Sequence, residues 1–190
     1  MTRYLTLEDL LSLINQLLEL ARAQADRGGT ATTEAFSTVL RHVLGELLPL
    51  ADIHHVMLDV ESAPDLCDEV ATPAMTSVLR NLIDNAVRYS PPGTTVAVNA
   101  THRAGTLTVT VDDQGPGVRD PEAALRPFTR GEGQHVEGSG LGLAIVDELV
   151  RHLGGRLKII SSPQTSTGTT VRVEIPTASH HSSDEGPAAP

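Results

Sequence analysis

Apolar residues recur along this chain in two rhythms, one helical and one alternating. Over residues 5–27 the rhythm is helical: Leu10, Ile14, Leu17 and Ala21 follow at steps of four, three and four, with Leu11/Leu18 and Leu13/Leu20 widening the stripe. Asp26-Arg-Gly-Gly-Thr30 ends that helix with a glycine pair. Such a stripe suits either the core of the same domain or a bundle with other chains, and the remaining pattern, complete without it, favours the bundle. A second helix is expected over 34–50, opened by Thr32 or Thr33 as a cap and closed around Pro49. Val56–Val60 reads as a strand, and a third helix, 73–89, takes Pro73 in its first turn and stops at Ser90-Pro-Pro-Gly93.

The second rhythm begins beyond that stop. Thr95–Thr101 and Thr106–Asp112 alternate as two strands around a turn containing Gly105. A glycine- and proline-bearing segment, 113–140, leads to a fourth helix at about 141–153, ended by Gly154-Gly155, and strands near 156–161 and 169–175 close the domain. The tail, 177–190, is His, Ser, Gly, Pro and Ala with two acids, a composition that predicts disorder.

Composition narrows the picture. A length of 190 residues suits one domain with an appendage, and 39% hydrophobic with only 2% aromatic content means a core of Leu, Val, Ile and Ala. The net charge of −10 argues against nucleic acid as the main partner, although it leaves room for an anionic nucleotide held by local amides, metal and a few cations. The single Cys67 makes neither an internal disulfide nor a thiolate zinc site, which fits a reducing compartment. No apolar run approaches the ~20 residues of a membrane span. Glu8 and Asp9 also break any signal-peptide pattern, so a soluble, cytoplasmic chain is expected.

Three short stretches carry candidate chemistry. Asn81 and Asn85 lie one helical turn apart amid Leu82, Ile83, Ala86 and Val87. Two amides on one such face are either satisfied polar residues bracing a loop or, with a phosphate chain, ligands for magnesium, to which an amide oxygen is a suitable hard donor. Asp84, one residue earlier than Asn85, faces roughly 100° away. Asp113 ends a strand before Gly115 and Gly117, with Pro116 between them. It is either a turn former or, if buried, an acceptor for the exocyclic amine of adenine that would repel the guanine carbonyl. Gly138-Ser-Gly-Leu-Gly-Leu143 enters the fourth helix, where free N–H groups attract phosphate; no Gly-Lys-Ser/Thr follows, so it is not a P-loop. The connection 118–137 contains Arg119, Arg126 and Arg130. It reads as a lid with Phe128 as its apolar anchor and Arg130 as either a phosphate contact or a solvated charge.

In this order the stretches resemble the nucleotide-binding module shared by sensor histidine kinases, DNA gyrase-type ATPases, Hsp90 chaperones and MutL-type repair proteins. Residues 77–89 match its N box, 113–117 its G1 box, 127–131 an F box and 138–143 its G2 box, with Gly168-Thr169 similar to the closing glycine-threonine. Asn-Leu-Ile-Asp-Asn-Ala-Val-Arg-Tyr-Ser-Pro and Gly-Ser-Gly-Leu-Gly-Leu-Ala-Ile-Val lean to the histidine kinases. The resemblance implies an α+β, two-layer α/β sandwich of the Bergerat type: a mixed, mostly antiparallel sheet packed on three helices, plus the N-terminal helix.

It also implies ATP and Mg²⁺ as cofactors. Asn85 would hold the metal, Asp113 adenine and Arg88 the phosphates, while Tyr89 flanks the base; Asn81, Arg130, Gly115, Gly117, Gly138, Ser139, Gly140, Leu141, Gly142 and Thr169 complete the site. Hydrolysing relatives carry glutamate where this chain has Asn81, and an amide cannot be that general base, so phosphoryl transfer is favoured over hydrolysis. The acceptor motif of such kinases, His-Glu-x-x-Thr-Pro, is missing: Val43 follows His42, His55 follows His54 and Val56 follows His55.

Residues 1–29 instead resemble the second helix of a dimerisation hairpin whose acceptor helix is absent, ahead of an ATP-binding catalytic domain over 34–176. The resemblance further implies a response regulator as partner, a homodimer in the full-length protein, and membrane contact only through upstream segments. An anti-sigma-factor-type serine/threonine kinase and a non-enzymatic, nucleotide-responsive dimerisation module are the alternatives.

Overall fold

The computed structural model describes residues 32–62, 66, 69–129, 140–161 and 168–177. The helix expected over 5–27 and the tail from 178 lie outside these. A small antiparallel pair, β1 (Thr33–Ala35) and β3 (Glu69–Ala71), brackets helix α1 (Phe36–His54) and strand β2 (Met57–Ser62). Then follow α2 (Thr72–Tyr89), β4 (Thr95–Arg103), β5 (Thr106–Asp113), the single turn α3 (Pro121–Ala124), α4 (Gly142–His152), β6 (Arg156–Ser161) and β7 (Thr169–Pro176). The β1–β3 pair and α3 are too short to leave a period in the sequence and were not expected from it.

Five strands form one sheet in the order β2-β4-β5-β7-β6. Only β2–β4 is parallel, its crossover passing through β3 and α2; the other three pairings are antiparallel. Alternation decides which face is covered. Val96, Val98 and Ala100 of β4, Leu107, Val109 and Val111 of β5, and Val171, Val173 and Ile175 of β7 are buried, while the residues between them, mostly polar or charged, form the more open face. Helices α1, α2 and α4 cover the buried face, with α2 in the middle against both others. This is the two-layer α+β sandwich with a mixed, mostly antiparallel sheet that the resemblance implied. With so few aromatics the core is branched aliphatic; Phe36 is its one buried phenylalanine.

Helix α2 carries the central stripe: Met75, Val78, Leu79, Leu82, Ile83, Ala86 and Val87 are buried at helical spacing. It stops because Pro91 forces the residue before it out of the helical region, and Ser90 is extended at φ −77°, ψ 136°. Helix α1, by contrast, runs through Pro49 to His54 instead of closing there. Leu47 and Ala51 on either side are buried, whereas Pro49 and Gly45, four residues earlier, are exposed. The proline's missing hydrogen bond therefore falls on the solvent side, and burial of the opposite stripe carries the helix on.

The covered face of the sheet ends in a polar row. By register Asp113 of β5 lies opposite Thr169 of β7, which lies opposite Ser161 of β6. All three continue the inward parity of the apolar residues before them, so this row closes the core at the end from which the 113–140 connection departs.

Candidate functional site

Asn81 and Asn85 both face α4. Asn81 donates Nδ2–H to Ser77 O at 2.8 Å, which fixes its amide and turns Oδ1 the other way. Opposite stands Gly142, the first residue of α4. A β-carbon there would come within 2.9 Å of Asn85 Nδ2, 3.3 Å of Asn81 Oδ1 and 3.4 Å of Asn85 Oδ1. The missing side chain at 142 is what lets both amides reach the helix start. Two amide oxygens beside unpaired helix N–H groups suit an anion accompanied by a hard cation. Among the described residues no cluster of three or more His, Cys, Asp or Glu would hold a metal by itself, so a magnesium ion here would take its remaining ligands from phosphate and water.

Asp113 is at the end of β5. Its Oδ1 accepts from Gly115 N–H at 2.8 Å and from Thr169 N–H at 3.0 Å. Burial raises its pKa above the ordinary aspartate range, against the lowering effect of those two backbone donors and the Thr169 side chain; neighbouring Asp112 adds a small upward push. Asp112 is itself bonded to the Thr170 hydroxyl. A half-buried carboxylate held by fixed donors can accept from a ligand amine without reorganising. Gly115 packs under the end of α2, where a β-carbon would meet Tyr89 O at 2.7 Å, and joins the base of the site to half-buried Tyr89. Gly117 follows in the left-handed region at φ 79°.

Arg88 is half-buried and bonds Asp84 through Nε at 2.7 Å, one turn back on α2. That pairing accounts for Asp84, whose carboxylate is turned to Arg88 and not to the amide face. Gly140, left-handed at φ 70°, and buried Leu141 lead into Gly142, and Thr169 is buried. The structure thus brings Asn81, Asn85, Gly142, Asp113, Gly115, Tyr89 and Thr169 around one end of α2. Arg130, Gly138 and Ser139 lie outside the described residues.

One expectation fails. Phe128 is 67% exposed, with φ at 63° in the turn after Pro127, and anchors nothing among the described residues. A rare aromatic is not thereby a buried one, since burial of apolar residues is a one-way rule. The histidines lacking the acceptor motif have structural places: His42 is exposed beside Glu46 at 3.2 Å, and His55 is the left-handed cap of α1. One polar contact was missed. Ser161 Oγ accepts from Val118 N–H at 2.8 Å and donates to Gly168 O at 3.1 Å. The only sequence signal for it is a polar residue at an inward position of a strand end.

Comparison with known proteins fits this geometry. The family described as "Histidine kinase-, DNA gyrase B-, and HSP90-like ATPase" matches residues 71–179. The sensor-like histidine kinase SenX3 of Mycobacterium tuberculosis is 28% identical over 170 residues, 86% of this chain and 41% of its own length. This chain therefore spans less than half of that relative. Among solved structures, the mycobacterial sensor histidine kinase MprB superposes with a TM-score of 0.67 at 26% identity, covering 78% of this chain and 98% of that one. Full-length ShkA in complex with AMPPNP gives a TM-score of 0.71 at 27% identity over 90% of this chain and 36% of its own.

Proposed function

The chain belongs to the histidine kinase-, DNA gyrase B- and HSP90-like ATPase family, and from that premise we propose that it is the ATP-binding catalytic domain of a two-component sensor histidine kinase. The observation that carries this reading is that α2 joins two polar groups: its asparagines face the start of α4, and its last residue, Tyr89, packs on the turn that follows Asp113. Asp113, half-buried and fixed by Gly115 and Thr169, suits the exocyclic amine of adenine; Asn85 and Asn81 face the start of α4, where phosphates would bind.

Asn85 would hold Mg²⁺ through its amide oxygen, and the ion would supply neutralisation of phosphate charge. Arg88 leaves Asp84 for the phosphate chain, and Tyr89 flanks the base. Backbone N–H groups of Gly140, Leu141 and Gly142 would cradle the phosphates, and the family resemblance assigns Gly138, Ser139 and Arg130, outside the described residues, to the same phosphates. Asn81, whose amide is committed to Ser77 O, positions but cannot deprotonate a water. The bond between the γ-phosphorus and the bridging oxygen breaks, a bond to a histidine ring nitrogen on a dimerisation helix forms, and ADP leaves with the electron pair. Residues 1–29 as the second hairpin helix, a homodimeric, membrane-anchored parent and relay to a response regulator belong to the same proposal. Among the described residues no helix is long and apolar enough to cross a membrane.

The test supplies γ-labelled Mg-ATP with a histidine-bearing dimerisation domain in trans. Label should pass to that domain and be lost in acid. An acid-stable product would assign a hydroxyl acceptor, as in an anti-sigma-factor-type kinase; tight nucleotide binding with no transfer would leave a nucleotide-responsive dimerisation module.

A further inference from the structure

We infer that Ser161 is a positioning residue for adenine selectivity, acting through Gly168 and Thr169 on Asp113. The inference rests on the reading of Asp113 as the adenine carboxylate. One of the two backbone donors that orient this carboxylate, Thr169 N–H, belongs to the first residue of β7 and follows Gly168, whose φ of 125° suits glycine alone; the other is Gly115 N–H. A residue leaving such a backbone conformation needs something to hold its peptide plane. Ser161 does so: its hydroxyl hydrogen goes to Gly168 O at 3.1 Å, while its oxygen takes Val118 N–H at 2.8 Å.

One hydroxyl thus uses its donor and an acceptor lone pair on two different segments. Gly168 is the peptide before the Asp113 donor, and Val118 is the first residue beyond the Asp113–Gly117 turn. The same side chain therefore fixes both backbone segments that meet at Asp113, although Ser161 itself would touch no nucleotide. Without the hydroxyl the Gly168–Thr169 peptide loses that restraint, and the carboxylate, left with Gly115 N–H as its one firmly placed donor, holds less well the orientation that distinguishes an amine from a carbonyl.

The readout is the ratio of affinities for ATP and for ITP, which offers a carbonyl where ATP offers the amine. Ser161→Ala should reduce that ratio by about tenfold, chiefly through weaker ATP binding, and Ser161→Thr, which keeps the hydroxyl, should restore it. A Ser161→Ala protein that keeps the ratio overturns the inference whether or not it melts earlier, because loss of stability alone does not alter discrimination. A Ser161→Thr protein as impaired as Ser161→Ala overturns it too. Should Ser161→Ala fail to fold, Ser161→Cys, similar in volume but a weak donor, takes its place with the same two outcomes. Asp113→Asn is measured alongside: if it leaves the ratio intact, the adenine reading itself falls, whereas a lost ratio there with an intact one in Ser161→Ala removes only the role of Ser161.

Discussion

Gly142 stands against Asn85 so closely that a β-carbon at 142 would lie 2.9 Å from Asn85 Nδ2. The atom in the way is the mobile end of a side chain, so Gly142→Ala displaces the amide and leaves the backbone in place. Alanine in the first turn of α4 also gains up to about 1 kcal/mol in helix propensity. The variant should melt within a few degrees of the parent yet bind Mg-ATP about tenfold more weakly, as read by calorimetry against thermal melts. Unchanged affinity would separate the paired asparagines from the metal.

Asp113 should give nucleotide binding an acid limb. Burial holds its pKa above that of an exposed aspartate, and the ionised form would be the stronger acceptor for an adenine amine. ATP affinity should therefore fall on acidification at a pH higher than the ordinary aspartate range, and the Asp113→Asn variant should be weak and flat. Stability runs the opposite way. In the window between the unfolded and folded pKa values the fold holds more of the proton, so this group's contribution declines as pH rises through that window. Parallel titrations of affinity and of urea midpoint check both signs.

Gly168→Ala should damage the fold where Gly142→Ala does not. A β-carbon at 168 would stand 2.4 Å from the Asp113 carbonyl oxygen, a backbone atom that cannot swing aside. The positive φ alone costs an L-residue about 1–3 kcal/mol. A fall in melting temperature of at least about 4 °C is expected by calorimetry, accompanied by loss of ATP binding.

Arg88→Ala should do the reverse. Its pair with Asp84 is an i, i+4 contact with each side chain about one-third exposed, which is worth only about 0.3–0.5 kcal/mol. Melting should scarcely change, while affinity for ATP drops about tenfold and affinity for adenosine stays the same. Equal losses for the two ligands would remove Arg88 from the phosphates.

Much of this was legible in the chain because local pattern determines it. The period of Met75–Val87 and the Pro91 stop define α2, and the i, i+4 spacing of Asn81 and Asn85 follows from the helix they sit on. What was not legible depends on distant partners. Pro49 reads as a helix end until Leu47 and Ala51 find a core to bury against. Phe128, scarce in composition, reads as buried until the turn after Pro127 points it outward. Ser161 reads as nothing until β6 is laid beside β7, since its partners Val118 and Gly168 are 43 and 7 residues away.

The strand order has a consequence for the history of each molecule. β7 is the last strand of the sheet to be synthesised and yet is inserted between β5 and β6. β6, made earlier, pairs with no other strand of the sheet, so the nascent chain must carry it with a bare edge until Pro176 is free of the ribosome. Thr169, the donor to Asp113, is delivered by the same insertion. In a growing chain Asp113 therefore has its Gly115 donor early, and gains the second donor only when the last strand completes the sheet.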